Sequence, residues 1–409
     1  MLTGSFSLQP QTRSFPSPSD LPVNPLMPNP FVTLDRTGPT SLDEWPAHRE
    51  YLKDLMQHYL YGHLPPRPTE QELAFRQTSD AAYVPPNSSI EGRRQGYEVT
   101  VTRNGRSHSF NFTLYRQSAL KPYPTLINNR VDDPFGPAEG VRRGYLFVEF
   151  NREEVAPDDK TNTDRRDGIF RLYPEPRYDW HTIAAWAWAY GPVIDVLGRL
   201  GLVDVGKIMA TGHSRGGQAA MAAAIFDERI DVVAPSTGGP FSLGAHRQRD
   251  PDGFRGTWDY PARFKKQQPH WYHPRYFEFS GALQDHMPWD VPTLVALVAP
   301  RAICHVNSVD DKINNWLGHE AGIRAGQVIY RWWGAQDRVR MHWRGVTNDY
   351  GQTGHDQGRE EYEAIYDCGD AYFYDRPGPT TWNVSPGKSA WEYDPDAYPL
   401  LIDWTIPGG

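Results

Sequence analysis

The sequence predicts an α/β chain, a three-layer αβα sandwich around a mainly parallel central sheet. Three observations predict it. Short apolar runs such as PTLINN (124–129), GYLFVEF (144–150) and DVVA (231–234) are continuous rather than alternating, as strands buried on both faces are. Segments of helical composition separate them, above all 181–200 and the alanine-rich stretch 219–224. Strands alternating with helices imply parallel neighbours with helices on both faces.

Taken in order, residues 1 to about 40 are rich in Pro, Ser, Thr and Asn and read as an extended surface arm. Residues 41–409 read as a single domain with an insertion at about 240–290, where the chain is polar, aromatic and irregular. Leu52, Leu55, Met56, Tyr59 and Leu60 fall at helical spacing in a helix from about Glu44 to Leu60. From Gly96 to Tyr115 the pattern alternates on either side of Asn104-Gly105, which predicts a hairpin. After the two apolar strands come a long helix over 181–200, a strand at 208–210 and the DVVA strand. The remainder reads as a helix at 291–297, the strand RAICHVN at 301–307, a helix at 318–326 and a final strand at 327–333.

Composition excludes several function classes. A net charge of -8 argues against nucleic acid as a partner. No run of about 18 apolar residues exists, so no membrane span is expected. The two cysteines, Cys304 and Cys368, read as buried free thiols. The N-terminus lacks the basic start and apolar stretch of a signal peptide. Either the chain is cytoplasmic or a signal has been replaced by an initiating Met, and a secreted or periplasmic location is the expectation. Histidine and acid spacings show no zinc pattern, so no metal and no organic cofactor are implied. A monomer is expected.

The chemistry concentrates at KIMATGHSRGGQAAMAAA, residues 207–224. A short apolar strand runs into Gly212-His213-Ser214-Arg215-Gly216, and an alanine-rich helix follows. Strand, G-x-S-x-G and helix together form the nucleophile elbow of α/β-hydrolases. Small residues two before and two after the serine permit the tight turn. The turn lifts Ser214 to the positive end of the following helix, where the next backbone N–H faces a developing oxyanion. In this fold the acid and then the histidine follow the serine in the chain. His355, in the Gly-bracketed turn YGQTGHDQG, is the expected base, with His342 in RVRMHWRG as its rival. Asp310, after RAICHVN, is the expected acid, with Asp311 as its rival.

Several stretches resemble the glucuronoyl esterase family of carbohydrate esterases. They are W-x-x-x-R-x-Y-L and YLYGHLPP within Trp45–Pro66, AAWAWAYG at 184–191, TGHSRGGQAA at 211–220 and MPWDVPTLVALVAPRA at 287–302. The resemblance implies a serine carboxylesterase on carbohydrate esters, most of all 4-O-methyl-glucuronoyl esters of xylan that link it to lignin alcohols. It implies the Arg215 guanidinium as an oxyanion partner, and Gln218, Gln268 and Trp316 as substrate-binding residues. This sequence departs from the family in three places. The cysteine before the serine is His213, the sugar-contacting lysine is Gln218, and the acid carried by many members after the DVVA strand is Thr237. The third departure moves the acid to the loop after RAICHVN, as in some bacterial members. The alternatives are an acetyl-xylan or general carboxylesterase and, in another class, a non-catalytic carbohydrate-binding protein on an esterase scaffold. A serine peptidase ranks lower.

Overall fold

A computed structural model describes residues 13–248, 259–309, 311, 315–345, 354–376 and 399–408. Residues 13–40 carry no α-helix or strand, but they do more than lie on the surface. Leu21, Met27 and Phe31 are buried. His48 Nε2 meets the Pro30 carbonyl at 2.8 Å, and the Tyr59 hydroxyl donates to the Pro16 carbonyl at 2.7 Å. Both partners lie on α1 (Trp45–Met56) and the π turn that extends it to Tyr61.

The strands are β1 (Leu73–Tyr83), β2 (Gly92–Arg103), β3 (Arg106–Gln117), β4 (Tyr123–Asn128), β5 (Leu146–Phe150), β6 (Val203–His213), β7 (Val232–Ser236), β8 (Ala302–Ser308) and β9 (Val339–Arg344). They form one sheet in the order β1-β2-β3-β5-β4-β6-β7-β8-β9. β1, β2, β3 and β5 pair antiparallel, and the run from β5 through β4 to β9 is parallel. The β2–β3 hairpin closes at Arg103 opposite Arg106. Both turn residues, Asn104 (φ 51°) and Gly105 (φ 73°), are left-handed, as a primed turn requires. β1 escapes a reading by hydropathy because it is an edge strand exposed along most of its length. β4, β5, β7 and β8 are buried throughout, which explains their unbroken apolar runs.

The remaining helices are α2 (Gly136–Arg143), α3 (Arg152–Val155), α4 (Thr182–Trp188), α5 (Tyr190–Arg199), α6 (Arg215–Phe226), α7 (Tyr260–Gln267), α8 (Pro274–Glu278), α9 (Val291–Val298), α10 (Trp316–Tyr330) and α11 (Arg359–Tyr374). Successive strand residues feed opposite layers. Leu126 and Phe147 pack with Tyr362 and Ile365 of α11, whereas Ile127 and Val148 belong to the larger core with α4, α6 and α9. Among the described residues no helix is long and apolar enough to cross a membrane.

Four expectations need correction. The helix expected over 181–200 is two, α4 and α5, because Pro192 has no N–H for the turn before it. The stretch QVIYRWW at 327–333 is not the last strand. It completes α10 and a 3₁₀ turn, Arg331–Trp333. Its β-branched and aromatic residues favour a strand, but packing overrides them: Ile329 and Tyr330 are buried, and Trp332 and Trp333 meet Trp45 edge-on at 5.7 and 5.1 Å. The last strand is β9, which contains His342. Within the expected insertion, α7 and α8 form and Phe241, Tyr272, Tyr276 and Trp289 are buried in the main core. Cys304 and Cys368 are not free thiols but a disulfide joining β8 to α11. The apolar run around Cys304 identifies a strand and says nothing about which helix lies over it.

Candidate active site

Ser214 joins β6 to α6 with φ 56° and ψ -123°, outside the regions that residues with a Cβ prefer. Such strain persists where the surroundings over-determine it. The Ser214 N–H donates to the Ser236 carbonyl at 2.9 Å, and the Ser214 carbonyl accepts from Gly217 N at 2.8 Å. A Cβ at residue 212 would stand 2.3 Å from the Gly216 carbonyl oxygen, and one at residue 216 would stand 2.3 Å from Asn129 Oδ1. Only glycine fits either place. From beneath, Asn129 Nδ2 donates to the Gly216 carbonyl at 2.8 Å, and the Tyr190 hydroxyl donates to the Thr211 carbonyl at 2.5 Å.

His355 lies between β9 and α11 and lines the same cleft as Ser214, a cavity of about 500 Å³. Its Nδ1 is 2.7 Å from Asp311 Oδ2, and that carboxylate is fully buried. The expected acid, Asp310, lies outside the described residues. The carboxylate beside His355 is that of Asp311, the neighbour of Asp310 in the chain and the rival acid. After β8 the chain turns, with Val309 N donating to the Arg344 carbonyl at 3.1 Å, and the turn directs residue 311 inward. Two adjacent aspartates cannot be told apart by residue type. The rival histidine, His342, lies in β9 and its Nε2 meets Glu360 of α11 at 3.0 Å. The His355 loop is also clamped from behind, where Arg344 pairs with Glu361 in full burial and its Nη2 donates to the Gly354 carbonyl at 2.9 Å.

The Arg215 guanidinium pairs with Asp158 and lies 5.2 Å over the Trp271 ring. The same carboxylate accepts from His270 Nε2 at 2.8 Å and Trp271 Nε1 at 2.7 Å. Burial alone would raise the Asp158 pKa, but these hydrogen bonds and the charge of Arg215 outweigh it and hold the carboxyl well below its ordinary range. Arg152 lines the cleft as well. Burial, and then the charge of Arg215, lower its pKa, so two guanidinium groups act on one another beside the serine.

Gln218 and Gln268 both line the cleft. Gln218 Oε1 accepts from the Tyr272 hydroxyl, which leaves its NH₂ as a donor. Trp316 opens α10, and its side chain lies outside the described residues. Thr237, at the family's acid position, has φ 44° and sets its hydroxyl 2.9 Å from His213 Nδ1. Sequence reasoning missed Asp158, Arg344, Glu361 and the placement of His213. The first sits in EVAPDDK, a polar stretch without a motif, 57 residues before the arginine it holds.

A model of the family described as glucuronyl esterase, fungi, matches residues 99–334. Among curated proteins, the chain is 25% identical over 308 residues to a 4-O-methyl-glucuronoyl methylesterase of Podospora anserina, covering 74% of this chain and 59% of that one. It is 26% identical over 297 residues to the enzyme of the same name from Hypocrea jecorina, covering 71% of this chain and 58% of that one. The chain thus spans about three fifths of the length of these relatives. In structure it superposes on a carbohydrate esterase family 15 glucuronoyl esterase from Caldicellulosiruptor kristjansonii with a TM-score of 0.74 and 24% identity, over 93% of this chain and 97% of that one. The catalytic domain of a Hypocrea jecorina glucuronoyl esterase gives a TM-score of 0.71 at 22% identity, over 95% and 98%. The solved relatives carry the α/β-hydrolase fold assigned from the elbow, and with the family model matching more than half its length, the chain belongs to the glucuronyl esterase family.

Proposed function

We propose that this chain is a serine carboxylesterase acting on carbohydrate esters, with 4-O-methyl-glucuronoyl esters of xylan as its substrate class. The observation that carries the reading is the 2.7 Å contact between His355 Nδ1 and buried Asp311, in the cleft that holds Ser214 on its strained turn. With Nδ1 donating to the carboxylate, Nε2 is the nitrogen free to act on the serine. Ser214 Oγ attacks the ester carbonyl as His355 takes its proton, and Asp311 stabilises the imidazolium. The Arg215 N–H at the start of α6 meets the oxyanion, and its guanidinium, tethered by Asp158, adds positive charge nearby. His355 returns the proton to the leaving alcohol, and water then releases the acid from the acyl-enzyme by the same steps in reverse.

Family membership supports the acyl class. The curated relatives carry the name 4-O-methyl-glucuronoyl methylesterase, and a Sporotrichum thermophile glucuronoyl esterase, 19% identical, was solved with methyl 4-O-methyl-β-D-glucopyranuronate. The NH₂ of Gln218 is the donor we assign to the sugar, and Gln268, in the same cleft, and Trp316 are assigned to substrate binding with it. The disulfide supports a secreted or periplasmic location, where such bonds persist. A panel of benzyl glucuronate, methyl glucuronate, acetylated xylan and nitrophenyl acetate tests the reading. The highest kcat/KM is expected on the glucuronates. Preference for acetylated xylan, or turnover that survives Ser214→Ala, would refute it.

A further inference from the structure

Four arginines, Arg130, Arg152, Arg215 and Arg263, line the cleft around Ser214, and Glu153 is the one carboxylate among the described lining residues. The chain as a whole carries a net charge of -8, so the cleft has the opposite sign to the molecule. The fold places three of the four by one rule. β5, β4 and β6 are neighbours in the sheet, and each is followed two residues later by an arginine: Arg130 after Asn128, Arg152 after Phe150 and Arg215 after His213. Ligands of open α/β sheets bind at the carboxyl ends of the strands. The fourth, Arg263, comes from α7.

Their counter-charges differ. Arg215 has Asp158. Arg152 is largely buried and fixed: its Nη1 donates to the Asn129 carbonyl at 3.2 Å and its guanidinium lies 5.1 Å over the Trp186 ring. A Cβ at residue 216 would stand 3.4 Å from that Nη1, which sets the guanidinium against the elbow. Its one ion pair among the described residues is with Glu153 at 4.0 Å, too long for a hydrogen bond, and its Nε is buried without a hydrogen-bond partner. Arg130 is exposed, and Arg263 Nε donates to Gln267 Oε1 at 3.3 Å; neither makes an ion pair among the described residues. A guanidinium keeps its charge in a protein, and holding one out of water without a close counter-charge costs free energy.

An ester is uncharged, and the oxyanion formed from it is a single negative charge, which Arg215 and the start of α6 already meet. Three further cations exceed what the ester and its transition state need. We propose that Arg152, with Arg130 and Arg263, forms a carboxylate subsite beside the ester site, so that the preferred substrates are esters carrying a second, free carboxylate. The proposal rests on the assignment of this cleft as the esterase site. The free acid group can belong to the alcohol or to a neighbouring uronate of the sugar chain. Contacts to a carboxylate remote from the reacting carbonyl are the same before and during the reaction. They therefore lower KM and leave kcat in place.

Two matched pairs of esters test it. The 4-carboxybenzyl ester of glucuronate against the benzyl ester puts the charge on the alcohol. An oligosaccharide ester with a second, free glucuronate, against the same molecule with that acid reduced to an alcohol, puts it on the sugar. We expect one pair to show a kcat/KM about 10- to 100-fold higher for the charged member, the range of a hydrogen bond to a charged group, with the difference in KM. The preference should shrink as salt is raised from about 0.1 to 1 M, where the screening length falls from about 10 to 3 Å. Arg152→Gln should bring the ratio within that pair towards one, and Arg130→Gln and Arg263→Gln should each lower it by less. The ratio within each variant is the readout, so a general loss of rate from disturbed packing on Trp186 cancels. Ratios near one in both pairs, or a preference that Arg152→Gln leaves intact, would overturn the proposal, while turnover of the neutral esters keeps the esterase reading standing. If Arg152→Gln does not fold, the double variant Arg130→Gln/Arg263→Gln decides, and an unchanged ratio there overturns the proposal. No turnover of any of these esters sinks the esterase reading itself, and the subsite with it.

Discussion

The elbow that carries Ser214 and the loops that carry His355 and Asp311 face one cleft, yet they are built in opposite ways. The elbow is specified locally. Its two glycines are required by atoms within a few residues and by Asn129, and its shape follows once a strand and a helix must meet around Ser214. His355 and Asp311, the proposed base and acid, lie 44 residues apart, on loops whose conformation is imposed from elsewhere by Arg344, Glu361 and the β8–β9 ladder. The nucleophile's geometry is therefore robust to changes far away in the chain. The base and acid should respond to substitutions that touch neither of them.

Removing the nucleophile should give the largest effect. Ser214→Ala is expected to lower kcat by about 10⁶-fold, as in a serine hydrolase of the same logic, with the circular dichroism spectrum and Tm preserved. Next comes the acid. Asp311→Asn should lower kcat by about 10⁴-fold through loss of tautomer control and imidazolium stabilisation, and Asp310→Asn is the comparison variant. Equal losses in the two would break the assignment of Asp311. A smaller step separates the two regions again. Asp158→Asn frees the Arg215 guanidinium beside the elbow and should lower kcat/KM by about 10²-fold, in the range of one lost oxyanion donor. Unchanged kinetics would remove the guanidinium from the mechanism.

The smallest expected effect is on stability against pH. Burial lowers the pKa of His181 to about 3, helped by the charge of His273, and that of His319 to about 4. Their unfolded values are about 6.5. Between the folded and unfolded values the unfolded chain binds more protons, so stability rises with pH there. The contribution is complete above about pH 6.5 and is lost as pH falls, at about 1.4 kcal/mol per pH unit for each histidine. Glu149 opposes this. Burial raises its pKa to about 7, so between its unfolded value of 4.5 and about 7 it loses stability as pH rises. With two histidines against one carboxylate, urea midpoints should fall from pH 6.5 to 4.5 and more steeply below 4.5. A midpoint that is flat or rises on acidification would contradict the sign.

Much of this fold could be read in the chain, and what could not shares one physical cause. The elbow, the hairpin at Asn104-Gly105 and the buried parallel strands depend on near neighbours, so their signals are local. The bracketing glycines made His355 conspicuous for the same reason. The strand expected at 327–333 became a helix because Trp45, far earlier in the chain, decides which faces of Trp332 and Trp333 are covered. Asp158 reaches Arg215, and Cys368 reaches Cys304, only through the assembled layers. Asp310 and Asp311 are adjacent and of one residue type, so the sequence carries no signal that chooses between them.

The disulfide changes the connectivity of the active site. Cys304 and Cys368 are 64 positions apart, and both Asp311 and His355 lie between them, whereas Ser214 lies outside. Topologically, Asp311 and His355 ride on a closed ring and Ser214 on an open chain. A single backbone cut within the ring would leave its two flanks covalently joined, and a cut between Ser214 and Cys304 would leave acid and base on one fragment. In the chain-entropy account, closing a ring of this size disfavours the unfolded chain by about 4 kcal/mol. That constraint falls on the part of the site whose geometry is assembled from afar, and none of it on the elbow, which is shaped by its own neighbours.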